Sequence, residues 1–145
     1  VGRVRARLRT LYAGGRELVW IAETNHVRGD RDCHRCIRLR VWGAGKNSQK
    51  LLVDLLSKSV LPWGCATDCV YPTPKDVRRV VDYALTHGWD PSLVGGTYFL
   101  SEREHAEFEL EDFLLTDRLR DCRAPDPDER VLRAFHEREA AETES

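Results

Sequence analysis

Arg3-Val4-Arg5-Ala6-Arg7-Leu8-Arg9 alternates charged and apolar residues without a break, and Glu17-Leu18-Val19-Trp20-Ile21-Ala22-Glu23 follows it after the turn residues Ala13-Gly14-Gly15-Arg16. Strict alternation is the mark of a strand with one face in a core and one in water. With Glu17 to Glu23 read as the return strand, the consecutive glycines between the two stretches predict a β-hairpin. In this register Val4, Ala6 and Leu8 face inward, and the four arginines share the outer face.

A third run repeats the pattern. Ile37, Leu39 and Val41 alternate with Arg38, Arg40 and Trp42 in the stretch from Cys36 to Trp42. The polar segment Asn25 to Cys36 between the strands is expected to be a loop with its tip at Gly29-Asp30. Leu51-Leu52-Val53-Asp54-Leu55-Leu56 suits either a helical face or a buried strand, since periodicity does not separate the two over six residues. A fourth strand is the preferred reading.

The helix signals are concentrated at 74–87. Thr73 is a capping residue, Pro74 suits the first helical position, and Asp76 completes the cap. Val77, Val80, Val81, Ala84 and Leu85 form one stripe, and Gly88 stands where helices end. Further on, Thr97 to Leu100 reads as a short strand, and Phe108 and Leu110 as an edge strand with an acidic outer face. Residues 111–119 are expected to be irregular or a short helix. Asp126-Pro127-Asp128-Glu129 opens a second helix, expected to fray past Arg138.

Together these elements predict an α+β domain over residues 1–125. It is an antiparallel sheet of about four to six strands with one main helix on its apolar face. A C-terminal helix and acidic tail occupy 126–145.

Charge is segregated along the 145 residues. Residues 1–50 hold twelve basic and four acidic side chains, and the remainder hold eleven basic and twenty acidic. If strands 3–9 and 36–42 share a sheet, Arg3, Arg5, Arg7, Arg9, Arg38 and Arg40 line one surface beside Trp42, with Trp20 close by. Such a surface fits an acidic protein partner. Arginine beside exposed aromatic rings also fits single-stranded nucleic acid. A solvated sheet face is the plain alternative.

The cysteines offer the other site. Cys33-His34-Arg35-Cys36 and Cys65-Ala66-Thr67-Asp68-Cys69 are two close pairs, each expected in a loop. Cys33, Cys36, Cys65 and Cys69 thus have the outline of a split four-thiolate site for a structural zinc ion, with His26 or His34 able to replace one thiolate. Small thiols without a metal are the competing reading. A redox CxxC would open a helix, whereas Cys36 leads into a strand pattern. Gly43 to Ser48 lacks the spacing of a phosphate loop. His87 and His105 are expected at the surface, and the acidic run from Glu102 to Asp112 as a solvated edge.

No apolar run approaches the roughly 20 residues needed to cross a bilayer. Without an export signal in the sequence, a reducing bacterial cytoplasm is the expected compartment. The functional expectation is a non-enzymatic interaction module, of inhibitor, immunity or accessory type, that docks a protein through its charged surfaces. The rivals are single-stranded nucleic-acid binding on the arginine face, and an enzyme or zinc-stabilised module built on the cysteine region.

Overall fold

In the computed structural model, which describes residues 8–43, 47–60 and 64–144, the chain adopts an α+β fold. Among the described residues six strands and three α-helices run in the order β1 (Arg9–Ala13), β2 (Arg16–Arg28), β3 (Cys33–Gly43), β4 (Lys50–Ser57), α1 (Pro74–Thr86), β5 (Thr97–Phe99), α2 (Glu102–His105), β6 (Phe113–Leu115) and α3 (Pro127–Glu144). The sheet order is β1-β2-β3-β4-β5, with β6 joined to β4. No helix among the described residues is long and apolar enough to cross a membrane. By its contacts the chain divides into two units, and β2, β3 and β4 contribute residues to both.

The first unit comprises residues 1–23, 38–53 and 72–100. Gly14 and Gly15 both take positive φ, 59° and 74°, which is the conformation a two-residue hairpin turn needs. β1 and β2 pair antiparallel across it, from Ala13↔Arg16 to Arg9↔Trp20. Leu18, Trp20 and Ala22 are buried on one side of β2, as alternation predicts.

The parity of β1 is the reverse of the expected one. Leu8 is exposed, whereas Arg9, Leu11 and Ala13 pair with Trp20, Leu18 and Arg16 and so lie on the face that holds Trp20. Arg3, Arg5, Arg7, Val4 and Ala6 lie outside the described residues.

α1 forms as its signals predict. Thr73 accepts from the Asp76 amide while the Asp76 carboxylate accepts from the Thr73 amide, a complete capping box. Val77, Val80, Val81 and Ala84 are its buried stripe. At the far end Gly88 turns at φ 118°, and Trp89 folds back so that its amide reaches the Ala84 carbonyl and its indole N–H the Gln49 carbonyl. Thr73→Ala is expected to cost about 1 kcal/mol in chemical unfolding, the usual worth of such a cap. An unchanged midpoint would show that the box is dispensable.

The Leu51–Leu56 run is strand, within β4. Leu51, Leu52 and Val53 are successive and all buried, so both faces of the strand are covered and the two-residue period disappears. β5 pairs with this end of β4 in parallel, Lys50↔Thr97 through Leu52↔Phe99. Parallel neighbours require a crossover, and the segment carrying α1 supplies it.

The second unit comprises residues 24–37, 54–71 and 101–145. Its apolar cluster contains Val27, Cys36, Leu56, Leu114 and Val131, with Leu119 and Ala134 against it. Here β4 pairs antiparallel with β6, Leu55↔Leu115 through Ser57↔Phe113. Residues 113–115 are therefore strand rather than irregular or helical, because burial on β4 outweighs their weak local pattern. Phe108 and Leu110 are buried, but only an isolated bridge, Glu109↔Leu114, forms near them.

The acidic run is not wholly a solvated edge. Glu102 is buried and pairs with Arg130 at 3.1 Å, and it exchanges backbone-to-carboxylate hydrogen bonds with Asp117. Burial pushes the Glu102 carboxyl above the usual glutamate value, against the opposing pull of the Asp117 amide and Arg130. His105 is also buried, not at the surface.

Candidate metal centre

The segment from Asn25 to Cys36 is mostly strand. β2 continues to Arg28 and β3 already begins at Cys33, so only residues 29–32 turn, closed by the Gly29 N–H donating to the Asp32 carbonyl at 2.8 Å. This alters the chemistry of the CxxC. Residues three apart on a strand point to opposite faces, so Cys33 and Cys36 do not chelate together. Cys36 is fully buried in the apolar cluster, while Cys33 is half-buried on the other side of the strand.

Acidic residues at the start of α3 grip the tight turn. Asp126 accepts from the amides of Asp30, at 3.3 Å, and of Asp128, at 3.0 Å, and so caps the helix as it binds the turn. One Asp128 oxygen accepts from the amides of Arg31, at 2.7 Å, and Asp32, at 3.3 Å. The other lies 2.6 Å from His34 Nε2. Gly29 permits this approach, because a Cβ there would run into both carboxylates.

Burial alone would raise the Asp128 carboxyl. The His34 hydrogen bond and the two turn amides outweigh it and hold the group below its ordinary value. Stability from a depressed carboxyl is complete above the ordinary value of 3.8 and is lost as pH falls through the lower folded value. Asp128→Ala is therefore expected to cost about 1–3 kcal/mol at neutral pH. That difference should shrink below about pH 4, where the parent loses the same stabilisation. Unfolding curves taken across pH check this, and a difference independent of pH would contradict it.

The second cysteine pair lies on a segment with two anchors. Gly64–Thr67 is a turn of 3-10 helix, and Asp68 just after it is buried. The Asp68 carboxylate accepts from the Ser57 hydroxyl at 2.5 Å and from the Val70 amide at 3.0 Å. Arg35 Nε donates to the Val70 carbonyl at 2.6 Å, which ties the segment to β3. These bonds set Cys65 beside Cys33. Cys69 is exposed, and its thiol donates to the Thr67 carbonyl at 3.8 Å.

The structure thus brings together two of the four predicted thiols and adds a histidine. His26 of β2, Cys33 of β3 and Cys65 place one donor atom each within 4.8 Å of one another. Burial pushes the Cys33 thiol up, the neighbouring Cys65 thiol pushes it further, and Arg28 pulls the other way.

Both cysteines also line a cleft of about 590 Å³ with Asp30, Asp32, Asp68 and Glu129 among its walls. Comparison with protein-family models, curated proteins and solved structures finds no match to this chain. Its chemistry has to be read from the site itself.

The described residues of the expected arginine surface, Arg9, Arg38, Arg40 and Trp42, lie in the first unit. Arg9 sits over the Trp20 ring, 5.6 Å from its centroid, on the buried side of β2. Arg40 pairs with Glu23 at 2.9 Å, and Glu23 is three residues from Trp20 on the same strand, hence on the opposite face. Arg38 and Trp42 alternate with the buried Leu39 and Val41 and share the side of Arg40. The described arginines therefore occupy both sides of the sheet, and Trp20, at 2% exposure, presents no ring to a base.

Proposed function

We propose that the protein is a zinc-binding module that holds one ion between His26, Cys33 and Cys65. The observation that carries this reading is the convergence of three donors, from two strands and a 3-10 turn, to within 4.8 Å of one another. Tetrahedral zinc with ordinary bond lengths separates two sulfurs by about 3.8 Å, and sulfur from nitrogen by about 3.5 Å. Closure of the group onto an ion asks for movements of no more than about an ångström. Two thiolates and an imidazole favour zinc over the hard cations magnesium and calcium.

Bound there, zinc ties the β2–β3 hairpin to the Gly64–Thr67 turn. Three protein donors leave a fourth position for water or another exogenous ligand, and Cys33 and Cys65 border the acidic cleft. An ion held in this way supplies a Lewis acid at the cleft wall.

Metal analysis of the full chain after zinc loading and desalting tests the reading. One zinc per chain, removed by a strong chelator, is expected. A ratio near zero after loading would end the proposal.

A further inference from the structure

Cys33 and Cys65 differ from the other three cysteines in where they stand. Both are half-buried at the cleft wall, and their sulfurs lie within 4.8 Å of each other. Cys36 is sealed in the apolar cluster, and Cys69 and Cys122 are exposed at the surface. The approach of the two sulfurs is held from both sides. Cys33 is fixed by the β2–β3 hairpin, and Cys65 by the bonds of Asp68 to Ser57 and of Arg35 to Val70. A pair of thiols held this near one another at a cleft wall is placed for closure to a disulfide.

We propose that Cys33 and Cys65 form an oxidisable dithiol which a hydroperoxide closes to a disulfide, and that this closure abolishes metal binding at the same site. The second clause rests on the zinc reading, and the first stands without it. In the first step the thiolate sulfur of one cysteine attacks the peroxide O–O bond. An S–O bond forms, the O–O bond breaks, and the alcohol or water leaves with a proton, giving a sulfenic acid. In the second step the other thiolate attacks that sulfur. The S–S bond forms, the S–O bond breaks, and water departs with the proton released by the thiol. Two thiols and one hydroperoxide thus give one disulfide, one alcohol and one water, with two electrons passing from sulfur to the peroxide. A disulfide sulfur is no longer a thiolate donor, so the site loses two of its three ligands at once.

The test uses the full chain, chelated or zinc-loaded, exposed to hydrogen peroxide, alkylated and digested with trypsin without reduction. Cleavage after arginine and lysine separates Cys33, in the peptide Asp32–Arg35, from Cys36, and leaves Cys65 and Cys69 together in Ser59–Lys75. In the chelated protein the expected product is Asp32–Arg35 linked to Ser59–Lys75, with two of the five thiols lost. The link should persist in Cys69→Ser and vanish in Cys33→Ser and Cys65→Ser. Bound zinc is expected to slow its formation about tenfold by masking both thiolates, and one ion should be released per disulfide formed. A link that vanishes in Cys69→Ser, a link through Cys122, or over-oxidation of Cys65 without a disulfide would overturn the proposal. Metal analysis of the same samples separates the two readings. A Cys33–Cys65 link in a chain that never takes up zinc sustains the dithiol and ends the zinc reading. Oxidation elsewhere in a chain that does bind zinc ends the dithiol alone.

Discussion

Gly29→Ala is expected to destabilise the protein by about 3 kcal/mol, because the new methyl group displaces carboxylates that hold several backbone amides at once. The side chains it meets, Asp126 and Asp128, are short and movable in themselves. Their positions are nevertheless set by the amides of Asp30, Arg31, Asp32 and Asp128 and by the His34 ring. Moving them leaves polar groups of the 29–32 turn without partners, and that loss dominates the cost. A double-mutant cycle isolates the mechanism. In an Asp128→Ala background the same glycine substitution should cost less than half as much, since the main obstacle and its bonds are already gone. Additive costs in urea unfolding would show that Gly29 serves some other purpose.

Removing either thiolate of the proposed centre is expected to weaken zinc binding by about three orders of magnitude. A structural zinc site is worth about 10–16 kcal/mol, and one donor of a small set accounts for roughly 4 kcal/mol of it. Cys33→Ser and Cys65→Ser should both show this loss in competition titrations with a chromophoric chelator. Cys36→Ser acts differently. It sets a hydroxyl among Val27, Leu56, Leu114 and Val131, so it should reduce stability while zinc stoichiometry stays at one. Cys69→Ser, at an exposed position, should alter neither. Equal losses for all four substitutions would restore the four-thiolate arrangement suggested by cysteine spacing.

The elements legible in the sequence were those whose signals are local. Thr73, Pro74, Asp76 and Gly88 fix α1 by capping chemistry, and Gly14-Gly15 fixes the first hairpin by positive φ. The parity of β1 was not legible. Alternation shows that two faces differ, but the register with β2 decides which face turns inward, and Arg9 lies opposite Trp20. β6 was hidden for a related reason. Phe113-Leu114-Leu115 becomes strand through its pairing with β4, a partner more than fifty residues away in sequence.

The candidate site was legible in part. Cysteine spacing points to Cys33 and Cys65, and the structure brings these two within 4.8 Å of each other and of His26, which the sequence offers as a substitute ligand. Reading 33–36 as a loop joined Cys33 to Cys36, and the strand that begins at Cys33 separates them. The extension of β2 and β3 toward residues 29–32 depends on the grip of Asp126 and Asp128, about a hundred residues distant, which no local pattern announces.

Zinc K-edge X-ray absorption on the loaded full chain addresses the three-donor centre most directly. Two sulfur neighbours at about 2.3 Å and two nitrogen or oxygen neighbours at about 2.0 Å are expected, from Cys33, Cys65, His26 and one exogenous ligand. A shell of four sulfurs, or one with none, would contradict the assignment.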